Sequence, residues 1–473
     1  MTAELPMNRF RSLRHGTSPL SGPGLTRRGF LELSAGGLVA SFFLKGPSEA
    51  RAAPAAGTLP RVTPRGTARN AIFVFLPGGM SQTDTFDLKE GAWTPAEFAP
   101  AEFGGGNRFP QGLMPKLYDR LGEVSFIRSY TAWVLVHGIA QTWVEIARSP
   151  TGALGAVAPH VGAVAALELE ARRAPTDVLP GFVSLNTTGN LQGSGYLSSA
   201  YAPFQVAPSA TGLPSLTHPD GAPRLALRWK DLETIDARLR QTDALGKPAA
   251  DVAGFYRQAK ALVDSSDVNA LFSYTTDEYA RYGSTAFGAS CLTAKKLLAG
   301  RRGTRFVQVS LGGWDMHSNV YGKTGTSLLT LCPQLDAGLA SLILDLEATP
   351  GEAAGRTLYD ETIVFVASEF GRTVGALNGQ AGRDHLFRTA VMIFGGGIRP
   401  GQVIGGTDAT GQSLKDPGWS ANRDVFPEDV ACTVYSALGI DWTTVRHDDP
   451  FGRGYAYVPS SDGLTYRPID ELF

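Results

Sequence analysis

Five short apolar runs punctuate the chain: Ala71–Leu76, Val124–Ile127, Phe306–Leu311, Thr362–Ala367 and Thr389–Phe394. Each is continuous rather than alternating, the pattern of strands buried on both faces of a parallel sheet. Between them the pattern turns helical. Leu328, Leu331, Leu335, Leu339, Leu342 and Leu346 recur at helical spacing, and Thr349-Pro350 stops them. Pro333 interrupts this stretch and predicts that its regular part begins only there. Strands alternating with helices predict an α/β domain with a mostly parallel sheet. Phe306–Leu311, the leucine helix and Thr362–Ala367 predict one right-handed crossover unit. From about Gly181 to Tyr282 the pattern changes. Gly, Ser, Thr and Pro come first, then a charged helical stretch from Trp229 to Tyr282, read as an insertion or cap over the sheet.

The N-terminus has a different layout. Arg27 and Arg28 precede an apolar stretch from Leu33 to Leu44, and small residues follow at Ala50, Ala52 and Ala53. This order reads as a secretory signal over residues 1–52, with an apolar part too short to span a membrane. The arginine pair marks the twin-arginine route. It implies the twin-arginine translocon as a partner and a periplasmic or extracellular destination. Residues 53–68 read as a linker and 69–473 as the α/β domain. No other segment reads as long enough to span, so no transmembrane anchor is expected in the mature chain.

Composition narrows the picture. At 473 residues and 43% hydrophobic, the chain can bury a sizeable core. A formal net charge of -1 argues against a nucleic-acid partner. The three cysteines, Cys291, Cys332 and Cys432, form no Cys-x-x-Cys pair, which excludes a zinc ribbon or thioredoxin motif. Cys332 and Cys432 sit in apolar helical contexts and read as small buried hydrophobes.

The candidate chemistry follows the strands. In open α/β sheets, ligands bind beyond the carboxyl ends of strands. Asp315 and His317 follow the Phe306 run; Glu369 and Arg372 follow the Thr362 run. Arg383, Asp384 and His385 lie shortly before the Thr389 run, and His137 lies beyond the Val124 run. Asp315 and His317 are two apart, so in an extended segment they point to one side. With Glu369, Asp384 and His385 they make a mixed nitrogen and oxygen set suited to a divalent ion such as zinc, manganese or iron. Arg372, Arg383 and His137 are candidates for holding an anionic substrate, small molecule or polymer. From spacing alone, a structural ion-pair network fits these residues equally well.

Several stretches resemble the family called domain of unknown function 1501. They are Phe75–Asp87, Gly312–Asn319, Ser368–Thr373, Gly382–His385, Gly395–Asp408 and Pro427–Asp441. They follow in the expected order across nearly the whole mature chain. That family in turn resembles the alkaline phosphatase and sulfatase superfamily, which hydrolyses phosphate or sulfate esters with one or two metals. The resemblance implies an alkaline phosphatase-like α/β fold. It sets Asp315, His317 and His385 where that superfamily has metal ligands. The departures are as informative. Phe370 stands where a metal histidine would be, Pro77-Gly78-Gly79 replaces the Asp that ends the first strand, and Asp84 lies further along. No nucleophile motif follows the Val124 run; Ser129 and Thr131 are candidates only by location, and no catalytic residue is assigned. The expected function is an exported metal-dependent hydrolase of phosphate or sulfate esters. The alternative is a catalytically silent envelope protein that keeps the fold for binding or assembly.

Overall fold

All five apolar runs become strands of one eight-stranded sheet in the computed structural model. It describes residues 62–187, 191–213, 220–240, 259–260, 262, 265–461 and 463–473. The signal sequence and most of the expected linker lie outside the described residues. In chain order the main elements are β1 (Asn70–Phe75), β2 (Ser125–Ile127), α1 (His137–Ile146), α2 (Val161–Glu168), β3 (Phe182–Leu185), β4 (Phe204–Val206) and α3 (Gly221–Arg240). There follow α4 (Ala286–Gly300), β5 (Phe306–Ser310), α5 (Leu328–Ala348), β6 (Thr362–Ala367), β7 (Val391–Phe394), β8 (Val403–Ile404) and α6 (Pro427–Leu438).

The strand order is β8-β2-β7-β6-β1-β5-β3-β4. Every pairing is parallel except those of β7, which runs antiparallel to β2 and β6. This reversal has a consequence for the site. Residues that precede β7 lie at the same edge as residues that follow the other strands. Strand β1 is central because both of its faces are apolar. Ile72 and Val74 join the core that holds α4 and α5, while Ala71, Phe73 and Phe75 join the core that holds α2 and α6. Helices thus cover both faces, and the α/β class with a mostly parallel sheet is the one observed.

Four expectations change. Strands β5 and β6 are parallel, but β1 lies between them, so the crossover spans a strand rather than joining neighbours. Segment 181–282, read as an insertion or cap, contributes β3 and β4 to the main sheet before its exposed helix α3. Helix α5 starts at Leu328 and runs through Pro333. Proline removes one backbone donor there. The first turn is held instead by the Ser327–Thr330 capping box and by the burial of Leu328 and Leu331. Helix α5 is also, by length and composition, apolar enough to cross a membrane, contrary to the reading that no segment after the signal is. Here 72% of that stretch is buried inside the protein, where it packs as a core helix. Its Leu335, Leu339, Leu342 and Leu346 are fully buried. All three cysteines are buried and free.

Candidate metal centre

The carboxyl edge of the sheet gathers side chains from four separate segments. Asp315 and His317 come from the loop after β5, Glu369 and Arg372 from the loop after β6, and His385 from the segment before β7. Arg372 pairs opposite His385 in a short antiparallel ladder, which fixes the register of these two loops. His137 is the first residue of α1, and Val136 before it is extended. Close backbone approach makes the gathering possible. Gly78 has φ +114°, and a Cβ there would lie 2.6 Å from the Asp315 backbone nitrogen. A Cβ at Gly382 would lie 1.9 Å from the His317 carbonyl. Glycine is required at both places because any side chain would drive the loops apart.

His137, Asp315, His317 and His385 bring one ligand atom each within 4.8 Å of one another. Asp315 Oδ1 lies 3.2 Å from Nε2 of His137, 3.2 Å from Nε2 of His317 and 3.8 Å from Nε2 of His385. The Nε2 atoms of His317 and His385 are 2.9 Å apart. The opposite ring nitrogens all face acceptors. His137 Nδ1 lies 2.7 Å from Glu369 Oε1, His385 Nδ1 lies 3.0 Å from the Leu135 carbonyl, and His317 Nδ1 lies 3.4 Å from Asp384 Oδ1. Protons on Nδ1 satisfy these acceptors and turn three Nε2 lone pairs toward one carboxylate oxygen, with Arg372 Nη1 donating to that of His317 at 3.2 Å. Nε2 of His137 is buried and, though close to Asp315, is not aligned to hydrogen-bond. A shared cation would fit this convergence of lone pairs. Metal-bound histidines characteristically give their other nitrogen to a carboxylate or carbonyl in this way.

The surrounding charges pull both ways, since the Glu369 hydrogen bond raises His137 above its usual range against the effect of burial. Burial pushes the Asp315 carboxyl up, but the Arg372 hydrogen bond and the nearby His137, Arg372 and His317 charges hold it below its usual range. Burial, reinforced by Arg372, pushes His385 down and favours its neutral form. Glu369 is fully buried. Desolvation alone would raise it, yet hydrogen bonds from His137, Gln141 and the Gly78 backbone keep it below the usual carboxylate range.

The geometry redistributes the roles expected from sequence. His137, expected to hold substrate, stands inside the cluster of candidate ligands. Glu369, expected as a ligand, stands behind His137 and orients it; Asp384 stands behind His317. Arg372 is buried, with its donors on the Gly78, Gly79 and Arg383 carbonyls, on Asp315 at 2.6 Å and on His317 Nε2 at 3.2 Å. Arg383 is buried against Asp84, at 2.8 and 3.1 Å, and against the Thr373 and Gly375 carbonyls. Neither presents a free fork to an anion. Phe370 packs its ring 4.6 Å from that of His137 and 4.5 Å from that of His385, an apolar wall rather than a ligand. Ser129 is fully buried and Thr131 nearly so.

Gln141, which donates to Glu369 at 2.9 Å, is a site residue that sequence reasoning missed, and Glu145 is a buried carboxyl further along the same helix. They fall four and eight places after His137, on one face of α1, and this helical spacing was their only signal. Glu145 is buried and accepts hydrogen bonds from Gln308 Nε2 at 3.1 Å and the Gln192 backbone at 3.0 Å. Burial pushes its carboxyl up to about 7, against those two hydrogen bonds. The folded protein therefore keeps a proton that the unfolded chain has released, so this group's contribution to stability is lost as pH rises through about 7. A fall on the order of 3 kcal/mol at full ionisation is expected from it. Glu145→Gln should flatten that part of the profile in unfolding measured across pH. A variant whose profile parallels the parent protein's would contradict the assignment.

An α/β scaffold with a candidate three-histidine, one-aspartate centre at its carboxyl edge is thus the class that fold and site define. The chain belongs to the family described as protein of unknown function (DUF1501), which it matches over residues 68–453. No curated protein matches it. Among solved structures it is similar to Ps i-CgsB, with 10% identity, a TM-score of 0.40 and coverage of 80% of this chain and 72% of that one. It is also similar to a protein in the alkaline phosphatase superfamily from Vibrio parahaemolyticus, with 12% identity, a TM-score of 0.37 and coverage of 80% and 70%. A third is the lipoteichoic acid synthase LtaP from Listeria monocytogenes, with 10% identity, a TM-score of 0.35 and coverage of 84% and 79%. At these scores no activity carries over to this chain.

Proposed function

We propose that this protein is an exported, metal-dependent hydrolase of phosphate or sulfate esters. In this reading His137, Asp315, His317 and His385 hold one divalent ion (zinc, manganese or iron). The observation that carries it is the convergence of three imidazole Nε2 atoms on Asp315 Oδ1. Held by these four residues, a divalent ion would supply Lewis acidity toward an ester. The chain's own groups do the positioning. Glu369 and the Leu135 carbonyl hold the tautomers of His137 and His385, and Arg372 pins Asp315. Phe370 excludes water from one side of the cluster. Asp315 and His317 are about half exposed, with side-chain exposures of 50% and 44%, so an anionic ester can reach the centre.

The test is a panel of activated aryl phosphates, phosphodiesters and sulfates, with zinc, manganese or calcium added. Turnover should stop with a chelator and return with metal. One observation favours the second reading, a silent binding or assembly protein: the guanidinium donors of Arg372 and Arg383 are already committed within the protein. Silence across the whole panel would select it. Export through the twin-arginine translocon is part of the same proposal. Changing Arg27 and Arg28 to Lys should leave folded precursor in the cytoplasm; unchanged delivery would contradict it.

A further inference from the structure

A second polar concavity lies at the other end of the same strands. Gly66–Arg69, Arg172, Ala353, Arg356 and Glu361 line a cavity of about 270 Å³, far larger than the roughly 10–15 Å³ one water needs. Arg69 immediately precedes β1 and Glu361 immediately precedes β6. The cavity is therefore at the amino ends of these strands, about 20 Å from the edge that carries the metal centre.

Charge around the cavity is unbalanced. Four guanidinium groups, those of Arg69, Arg172, Arg305 and Arg356, lie around it with three carboxylates, those of Glu352, Asp360 and Glu361. Glu361 is buried and already accepts from the backbone nitrogens of Glu352 at 2.6 Å and Ala353 at 2.7 Å, with Arg69 at 3.4 Å. Glu352 is held by Arg69 and Arg305. The nearby Asp360 carboxylate is occupied at Thr357. Among the described residues, Arg172 and Arg356 have no carboxylate partner. Arg172 donates only to the Leu438 carbonyl, at 3.2 Å, and Arg356 to the Asp360 and Thr67 carbonyls, at 2.7 and 3.4 Å. Burial and the charges of Arg305 and Arg69 push the Arg172 guanidinium below its usual range, and the Glu352 charge offsets this only in part. Nε of Arg305 is buried without a hydrogen-bond partner. A guanidinium offers five donors in a planar fork that matches the oxygens of phosphate and sulfate.

We infer that this cavity binds a tetrahedral oxyanion, sulfate or phosphate, through Arg172 and Arg356, separately from the metal centre. The oxyanion is either free or carried on a polymer. A purely structural ion-pair network would give each guanidinium a carboxylate, and here, among the described residues, Arg172 and Arg356 reach only backbone carbonyls.

The experiment is calorimetric titration of the full mature chain with sulfate and with phosphate, at ionic strength held constant with chloride. Saturable binding is expected in the parent protein. It should weaken roughly tenfold or more in the Arg172→Gln, Arg356→Gln double variant and persist in a His317→Ala, His385→Ala double variant. Both arginines are on the surface, and unchanged metal content of their double variant shows that it is folded. A dextran sulfate arm separates the sources. Tighter binding per sulfate than inorganic sulfate, lost with the arginines, assigns a polymer-borne group; equal binding assigns the free ion. No saturable binding above matched chloride would overturn the inference. So would binding that survives loss of the arginines and disappears with the histidines.

Discussion

His137→Ala, His317→Ala and His385→Ala are each expected to lower metal affinity by more than the roughly 10–100-fold that supporting groups cost. Each change removes one of only four convergent donors. The effects should not add, because once the ion is lost a second deletion has little left to remove. Glu369→Gln sets the contrast. Its carboxylate orients His137 and touches no other member of the cluster, so its effect should fall within the supporting range. The ordering also separates the assignment made here from the one read off the sequence, in which Glu369 was a ligand and His137 was not. Competition with a chromophoric chelator, on variants shown to be folded, measures all four. If His137→Ala retained parental affinity while Glu369→Gln lost it, the roles would be reversed.

Arg383→Ala is expected to destabilise the protein by about 3–5 kcal/mol, the cost of leaving one partner of a buried ion pair alone. The side chains of Arg383 and Asp84 are 1% and 2% exposed, and two hydrogen bonds join them. Tyr321 donates to Asp84 at 2.7 Å and would be left with an uncompensated carboxylate. Chemical denaturation reads the loss directly. An anion-gripping arginine behaves differently: its removal would raise KM and leave stability nearly intact. A stable Arg383→Ala protein with impaired binding would restore the sequence-based role.

Much of the fold was legible because burial on both faces leaves an unmistakable trace. The runs at Ala71, Phe306 and Thr362 are uninterrupted apolar stretches, and they became the three central strands. Segment 181–282 was misread because β3 and β4 are short strands set among Gly, Ser and Pro, without a long apolar run. The site was legible as a neighbourhood, since its residues follow strands or, before the reversed β7, precede one. Individual roles were not. Whether a carboxylate binds an ion or orients a histidine depends on a few ångströms of approach, as Glu369 shows. Whether an arginine is free depends on carbonyls such as those of Gly78 and Gly79, which carry no sequence signature. His137 stands among the candidate ligands because the start of α1 brings it, from more than a hundred residues away in sequence, beside Asp315, His317 and His385.

X-ray absorption of the metal-reconstituted protein tests the central claim most directly, because it reads the atoms around the ion. One ion per chain is expected, with back-scattering from three imidazole rings and one carboxylate oxygen among its neighbours. His317→Ala should lose one ring from that count or lose the ion altogether. An oxygen-only shell, or a folded chain that takes up no ion, would contradict the account.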